Sequence, residues 1–98
     1  MAGSALSSSE VADRLKKLSG WSLSGGAIEK SFSFKNYYET MSFVNAVAFI
    51  ANKADHHPDL VVGYNKCVVR YSTHDVGGIS EKDFDAATKI EALLKSGN

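Results

Sequence analysis

The chain has 98 residues with one cysteine, and its 11 Lys+Arg balance its 11 Asp+Glu to a formal net charge of zero. This balance argues against a dedicated nucleic-acid binder, which carries a basic excess. Cys67 is the sole cysteine, which excludes an internal disulfide and favours a reducing compartment. The longest apolar run, Ala46–Ala51, is far short of the roughly 20 residues that a membrane span needs. We therefore expect one cytoplasmic domain over residues 1–98, without a signal peptide and with residues 1–6 disordered.

The first predicted elements are a short helix and a hairpin. Ser7 and Glu10 have the spacing of a capping box, which marks the start of a helix that ends at Ser19-Gly20. The segments Trp21–Leu23 and Ala27–Phe34 then flank Gly25-Gly26, a pattern typical of a β-hairpin. Apolar and polar residues alternate along the second of these strands, so we expect one buried face and one polar face.

The longest predicted helix follows. Asn36 and Glu39 form a second capping pair, and two adjacent apolar rows follow them at helical spacing. Such a wide apolar stripe suits a helix that lies across a sheet. Pro58 is expected to force the end of this helix, because the residue before a proline is disfavoured in helical geometry.

A second hairpin and a last helix complete the chain. Leu60–Gly63 and Lys66–Ser72 are predicted strands. Ser80, followed by Asp83 at the third position of the last predicted helix, is a further capping pair. Asp83 is therefore interpreted as a capping residue. The element order α-β-β-α-β-β-α predicts a single α+β domain in which three helices cover one face of a four-stranded antiparallel sheet.

Three histidines are the candidate chemical groups. His56 and His57 lie at the predicted end of the long helix, and His74 follows the last strand, so the hairpin between them can return the chain to the same place. Histidine gives and takes protons near neutral pH. Spacing alone leaves three interpretations open: exposed loop residues, a catalytic pair, or a metal site. The last is the weakest, because adjacent side chains diverge and no second cysteine is available.

Four blocks follow one another between Lys53 and Asp83: Asp55-His56-His57-Pro58-Asp59, Tyr64-Asn65-Lys66, Ser72-Thr73-His74-Asp75 and Gly78-Ile79-Ser80-Glu81-Lys82-Asp83. In this order and at these separations, without a gap, they resemble the pterin-4a-carbinolamine dehydratase family. The predicted element order also agrees with the fold of that family.

The resemblance implies a reaction. Members remove water from 4a-hydroxytetrahydropterin to give quinonoid dihydropterin, which recycles the cofactor of aromatic amino-acid hydroxylases. The pterin is the substrate, and the resemblance implies no metal and no other cofactor. It also implies that His56 and His74 are the acid/base pair and that His57 positions the pterin. The substrate would lie against Asp55, His57, Ser72, Thr73 and His74.

The resemblance further implies partners. Family members form homotetramers as dimers of dimers, and animal members also bind a homeodomain transcription factor, which adds a nuclear location to the cytoplasmic one. A non-catalytic interaction module is therefore the alternative function. The three retained histidines favour the enzyme, and neither a membrane nor direct nucleic-acid binding is expected.

Asn52 is a departure from the family pattern. Many members carry a carboxylate at this position, four residues before the first histidine. That spacing is one helical turn, so Asn52 is predicted to share a helix face with His56 and to reach it. A carboxylate would favour the charged imidazolium, whereas an amide only forms a hydrogen bond. We therefore interpret Asn52 as a modulator of His56.

Overall fold

A capping box begins the first helix, α1 (Ser8–Leu15), as predicted. The structure, a computed structural model, describes residues 4–96. The Ser7 hydroxyl oxygen accepts from the Glu10 amide at 3.2 Å, and the Glu10 carboxylate accepts from the Ser7 amide at 2.8 Å. Residues 1–3 of the segment expected to be disordered lie outside the described residues. Leu6, at its other end, packs against the core and donates its amide to the Ile79 carbonyl at 2.8 Å.

The two hairpins form one antiparallel sheet. The strands are β1 (Ser22–Ser24), β2 (Ala27–Ser33), β3 (Asp59–Val62) and β4 (Lys66–Tyr71). Their order is β1-β2-β4-β3, so the central pair joins one strand from each hairpin. Each predicted strand is present, with bounds that differ by one residue. Strands β1 and β3 form the two edges of the sheet.

The long helix α2 (Tyr37–Ala54) begins at the predicted cap, where the Asn36 side chain accepts from the Glu39 amide at 2.9 Å. The helix does not end for the predicted reason, which was Pro58. Asp55 adopts a left-handed conformation with φ of 53°, and the His56 amide closes the helix on the Ala51 carbonyl at 3.1 Å. Asp tolerates this conformation better than most residues, because its short polar side chain forms local hydrogen bonds. The helix has therefore ended before Pro58 can act.

The last helix, α3 (Glu81–Ser96), follows a short 3-10 turn over His74–Val76 that the sequence did not predict. All three helices contribute to one core against one face of the sheet, as predicted. The buried residues include Val11, Phe43, Val47, Phe84 and Ile90 from the helices, and Ile28, Phe32, Cys67, Val69 and Tyr71 from the sheet. The predicted order α-β-β-α-β-β-α is confirmed. Within residues 4–96, no helix has the length and apolar character to cross a membrane.

Candidate active site

A buried carboxylate, Asp83, joins three segments of the chain. Its Oδ2 accepts from the Ser80 amide at 3.0 Å and from the Thr73 hydroxyl at 2.9 Å. Its Oδ1 lies 2.5 Å from Nε2 of His56. The hydroxyl oxygens of Thr73 and Ser80 are themselves 2.7 Å apart. Asp83 therefore connects the start of α3, the end of β4 and the residues that follow α2.

The capping role predicted for Asp83 is present, but its contact with His56 was missed. A local signal exists in the sequence. Asp83, Ala87 and Ile90 fall at the spacing of one helix face, and all three are fully buried. A carboxylate on the core face of a helix needs hydrogen-bond partners, because an unpaired buried charge is costly. This position therefore indicated a buried partner elsewhere in the chain.

His56 is held on a second side by Tyr71, the last residue of β4. The two rings stack with centroids 5.2 Å apart and planes 27° apart, and the Tyr71 hydroxyl donates to the His56 carbonyl at 3.4 Å. Burial, with the nearby charge of Asp83, raises the pKa of Tyr71 to about 12. The phenol therefore stays neutral and keeps its proton to donate. Only 13% of the His56 side chain is exposed.

Within the described residues no hydrogen bond joins Asn52 to His56, whose Nε2 has Asp83 as its partner. The physical reason is the left-handed conformation of Asp55, which takes the chain off the helix axis before His56. The spacing of one helical turn therefore no longer places the two side chains on one face. The exposed Asn52 instead lines a groove together with His57.

That groove has a volume of about 550 Å³ and lies between α2 and the start of β3. Its walls are mostly apolar, and His57 with Asn52 and Asn45 supplies the polar side chains. Neither His56 nor His74 lines it. A second groove, of about 470 Å³ between α1 and α3, is lined by none of the predicted site residues.

The remaining predicted residues divide into exposed and buried ones. Asp55, His57 and His74 are exposed, and the structure gives no hydrogen bond to the side chains of these three residues within 4–96. Thr73 is buried, and its backbone pairs with Gly78 while its hydroxyl binds Asp83. Thr73 therefore supports Asp83 and places His74, its neighbour, next to the buried network. The half-buried Ser72 precedes it.

Metal-binding groups do not cluster in the part of the chain that the structure describes. No set of three or more His, Cys, Asp or Glu side chains there has the geometry to hold an ion. The free thiol of Cys67 is buried in the core, and this burial raises its pKa.

Comparison with known proteins places this chain in a family. The family described as Pterin 4 alpha carbinolamine dehydratase matches residues 4–93. A relative from Paracidovorax citrulli that carries this name is 61% identical over 94 residues, covering 92% of this chain and 81% of its own. One from Nitrosospira multiformis is 56% identical over 90 residues, covering 92% and 80%. The chain belongs to the pterin-4a-carbinolamine dehydratase family of hydro-lyases.

Solved structures agree with this fold. A transcriptional coactivator/pterin dehydratase from Brucella melitensis superposes with a TM-score of 0.86 at 36% identity, over 91% of this chain and 97% of the other. A pterin dehydratase-like protein described as a RuBisCO assembly factor of the alpha-carboxysome has a TM-score of 0.62 at 20% identity, over 74% and 84%. The latter likeness concerns the fold alone.

Proposed function

We propose that this protein removes water from 4a-hydroxytetrahydropterin to give quinonoid dihydropterin by histidine acid/base catalysis, which recycles the cofactor of aromatic amino-acid hydroxylases. Family membership supports the reaction. The observation that carries the mechanism is the His56–Asp83 pair, in which a fully buried carboxylate fixes one nitrogen of an imidazole. A carboxylate that orients a histidine in this way selects its tautomer and directs the other nitrogen to its task.

The reaction needs two proton transfers. One proton goes to the 4a-hydroxyl group, which leaves as water when the C4a–O bond breaks, and one proton leaves ring N5 as the C4a–N5 double bond forms. With Nε2 of His56 bonded to Asp83, Nδ1 is the nitrogen that exchanges a proton with the pterin. General acid/base catalysis of this kind contributes about 10²–10⁴-fold for each transfer.

His74 is the second acid/base group in this proposal. It follows Thr73, which is tied to Asp83 by a hydrogen bond of 2.9 Å. One buried carboxylate thus holds His56 directly and the backbone beside His74 indirectly. The exposed His57 and Asp55 and the half-buried Ser72 would position the pterin, while Thr73 acts through Asp83. The pterin is the substrate, and the proposal includes no metal or redox cofactor.

A dehydration assay on freshly made 4a-hydroxytetrahydropterin tests the proposal. We expect His56→Ala and His74→Ala each to lower kcat at least about tenfold, and His57→Ala to act mainly on KM. Asp13→Ala, at an exposed position of α1, is the control and should keep the wild-type rate. Near wild-type rates in both of the first two variants would contradict the assignment. Loss of activity on dialysis against EDTA would contradict metal independence.

A non-catalytic interaction module is the second candidate. The observation that favours it is the likeness to the Brucella melitensis protein, which is described both as a transcriptional coactivator and as a pterin dehydratase. The same assay separates the two functions, because a pure interaction module would not dehydrate the substrate at any enzyme concentration.

A further inference from the structure

Tyr71 is a fully buried residue with two contacts to His56 that the proposed mechanism does not use. Its ring stacks on the imidazole with centroids 5.2 Å apart. Its hydroxyl donates to the backbone carbonyl of the same histidine at 3.4 Å. One side chain therefore touches both the ring and the main chain of His56.

His56 needs such support because of where it lies in the chain. It follows the left-handed Asp55 and precedes β3, so it lies outside both elements, and its amide is tied to α2 by one hydrogen bond to the Ala51 carbonyl, at 3.1 Å. The bond to Asp83 fixes the position of Nε2 alone. The imidazole can still rotate about the axis that runs from its Cβ atom to Nε2. A stacked ring removes that rotation, because tilting the imidazole would lose the contact between the two faces.

We propose that Tyr71 is a positioning residue for the dehydration, which sets the plane of the His56 imidazole so that Nδ1 points to the pterin. This inference rests on the proposed function and adds a residue to it. Asp83 fixes one atom of the imidazole. Tyr71 fixes the plane of the imidazole and also binds the backbone carbonyl of His56. Small errors in the placement of a proton-transfer group are costly for the rate, because the reacting atoms must align.

Three substitutions separate positioning from packing. Tyr71→Leu removes the stacked ring, and we expect kcat to fall about tenfold with KM within about twofold. Tyr71→Phe keeps the ring, so its kcat should stay within about threefold of wild type. Val69→Ala is the matched control, since Val69 is buried on the same strand and face. It should lower the melting temperature without lowering kcat when assayed well below that temperature.

The results have defined meanings. Equal losses of kcat in the Leu and Phe variants would overturn the proposal, because the stacked ring is then not the cause. A loss in Val69→Ala as large as that in Tyr71→Leu would also overturn it, because the rate would then follow stability. If Tyr71→Leu does not fold, Tyr71→Met, which fills similar space with a flexible side chain, replaces it with the same expected loss.

A second measurement does not depend on activity. In the unliganded full chain with labelled histidine, nuclear magnetic resonance follows exchange with water of the His56 Nε2 proton that is bonded to Asp83. We expect this exchange to be about tenfold faster in Tyr71→Leu than in the wild type or Tyr71→Phe. Equal exchange in all three would overturn the positioning role. If the wild type has no dehydratase activity, the proposed function fails. The exchange rate then decides by itself whether Tyr71 positions the His56 ring.

Discussion

His56 and Asp83 are 27 positions apart in the chain, and their side chains meet with 2.5 Å between Nε2 and Oδ1. The contact joins the segment after α2 to the first turn of α3. It leaves the carboxylate fully buried and the histidine partly exposed. A buried carboxylate thus holds an imidazole that is partly open to solvent.

We expect Asp83→Ala to lower the free energy of unfolding by about 3 kcal/mol. The substitution leaves the Ser80 amide, the Thr73 hydroxyl and the His56 ring nitrogen without their acceptor. The dehydration rate should also fall, by about 10–100-fold if the loss resembles that seen for the partners of metal-bound histidines, because His56 loses the group that fixes its tautomer. Urea unfolding and the dehydration assay measure the two effects.

Two further variants control this experiment. Asp83→Asn keeps one acceptor oxygen, so it should lose less stability than Asp83→Ala while still losing activity. Asp85→Asn removes an exposed carboxylate from the same helix and should change the free energy of unfolding by less than about 0.5 kcal/mol. Equal effects at positions 83 and 85 would show that the buried network contributes nothing.

Alkaline unfolding tests the environment of Tyr71. Its pKa is raised from 10.0 to about 12 in the folded protein by burial and by Asp83. The folded state therefore holds this proton more tightly than the unfolded chain. The resulting contribution to stability is fully present below about pH 10 and is lost as the pH rises through about 12.

We expect the free energy of unfolding to fall more steeply between pH 10 and 11.5 in the wild type than in Tyr71→Phe, which has no phenol to ionise. Urea unfolding at several pH values measures the difference. Cys67, whose pKa burial also raises, contributes equally to both proteins. Parallel curves for the two proteins would contradict the raised pKa of Tyr71.

The resemblance to tetrameric family members predicts a homotetramer, measured by light scattering at micromolar concentration. Two of the exposed apolar positions test which surface is used: Val61 on the edge strand β3 is 62% exposed, and Phe49 on the helix α2 is 65% exposed. Val61→Lys should reduce the mass if strands pair at that edge, and Phe49→Lys should reduce it if helices pack. A wild-type monomer would contradict the prediction.

Local signals predicted the helix starts well, because a capping interaction spans only three residues, whereas α1 ends at Leu15 and not at the predicted Ser19-Gly20. Ser7 with Glu10 and Asn36 with Glu39 form the hydrogen bonds that their spacing indicated. The helix end at Asp55 was assigned to Pro58, because a left-handed conformation of an Asp has no comparable sequence signature. The helix ends only a few residues before Pro58, but the left-handed Asp55 changes the direction in which the chain leaves it.

The site was predicted less completely than the fold. The resemblance singled out His56 and His74, but nothing local shows that Asp83 meets the first of them, since that contact depends on how α3 packs against the end of β4. Only the burial of Asp83 on an apolar helix face was available as a signal. The stacking of Tyr71 on His56 likewise depends on the position of the strand end.

Asn52 provides the last test, because it stands where many family members carry a carboxylate. In this structure His56 leaves the helix at Asp55 and its Nε2 already binds Asp83. A glutamate at position 52 would therefore not pair with His56. We expect the pH–rate profiles of Asn52→Glu and Asn52→Ala to superimpose on that of the wild type.

The effect of these substitutions should fall on KM, because Asn52 shares its groove with His57, the residue proposed to position the pterin. Dehydration rates measured from pH 6 to 9 as a function of substrate concentration separate the two effects. Asn45→Ala, on the same groove wall but two turns earlier in α2, controls for changes in groove shape. If the acidic limb of the pH–rate profile shifts to another pH in Asn52→Glu alone, residue 52 does reach His56. The helix would then continue past Asp55 in solution.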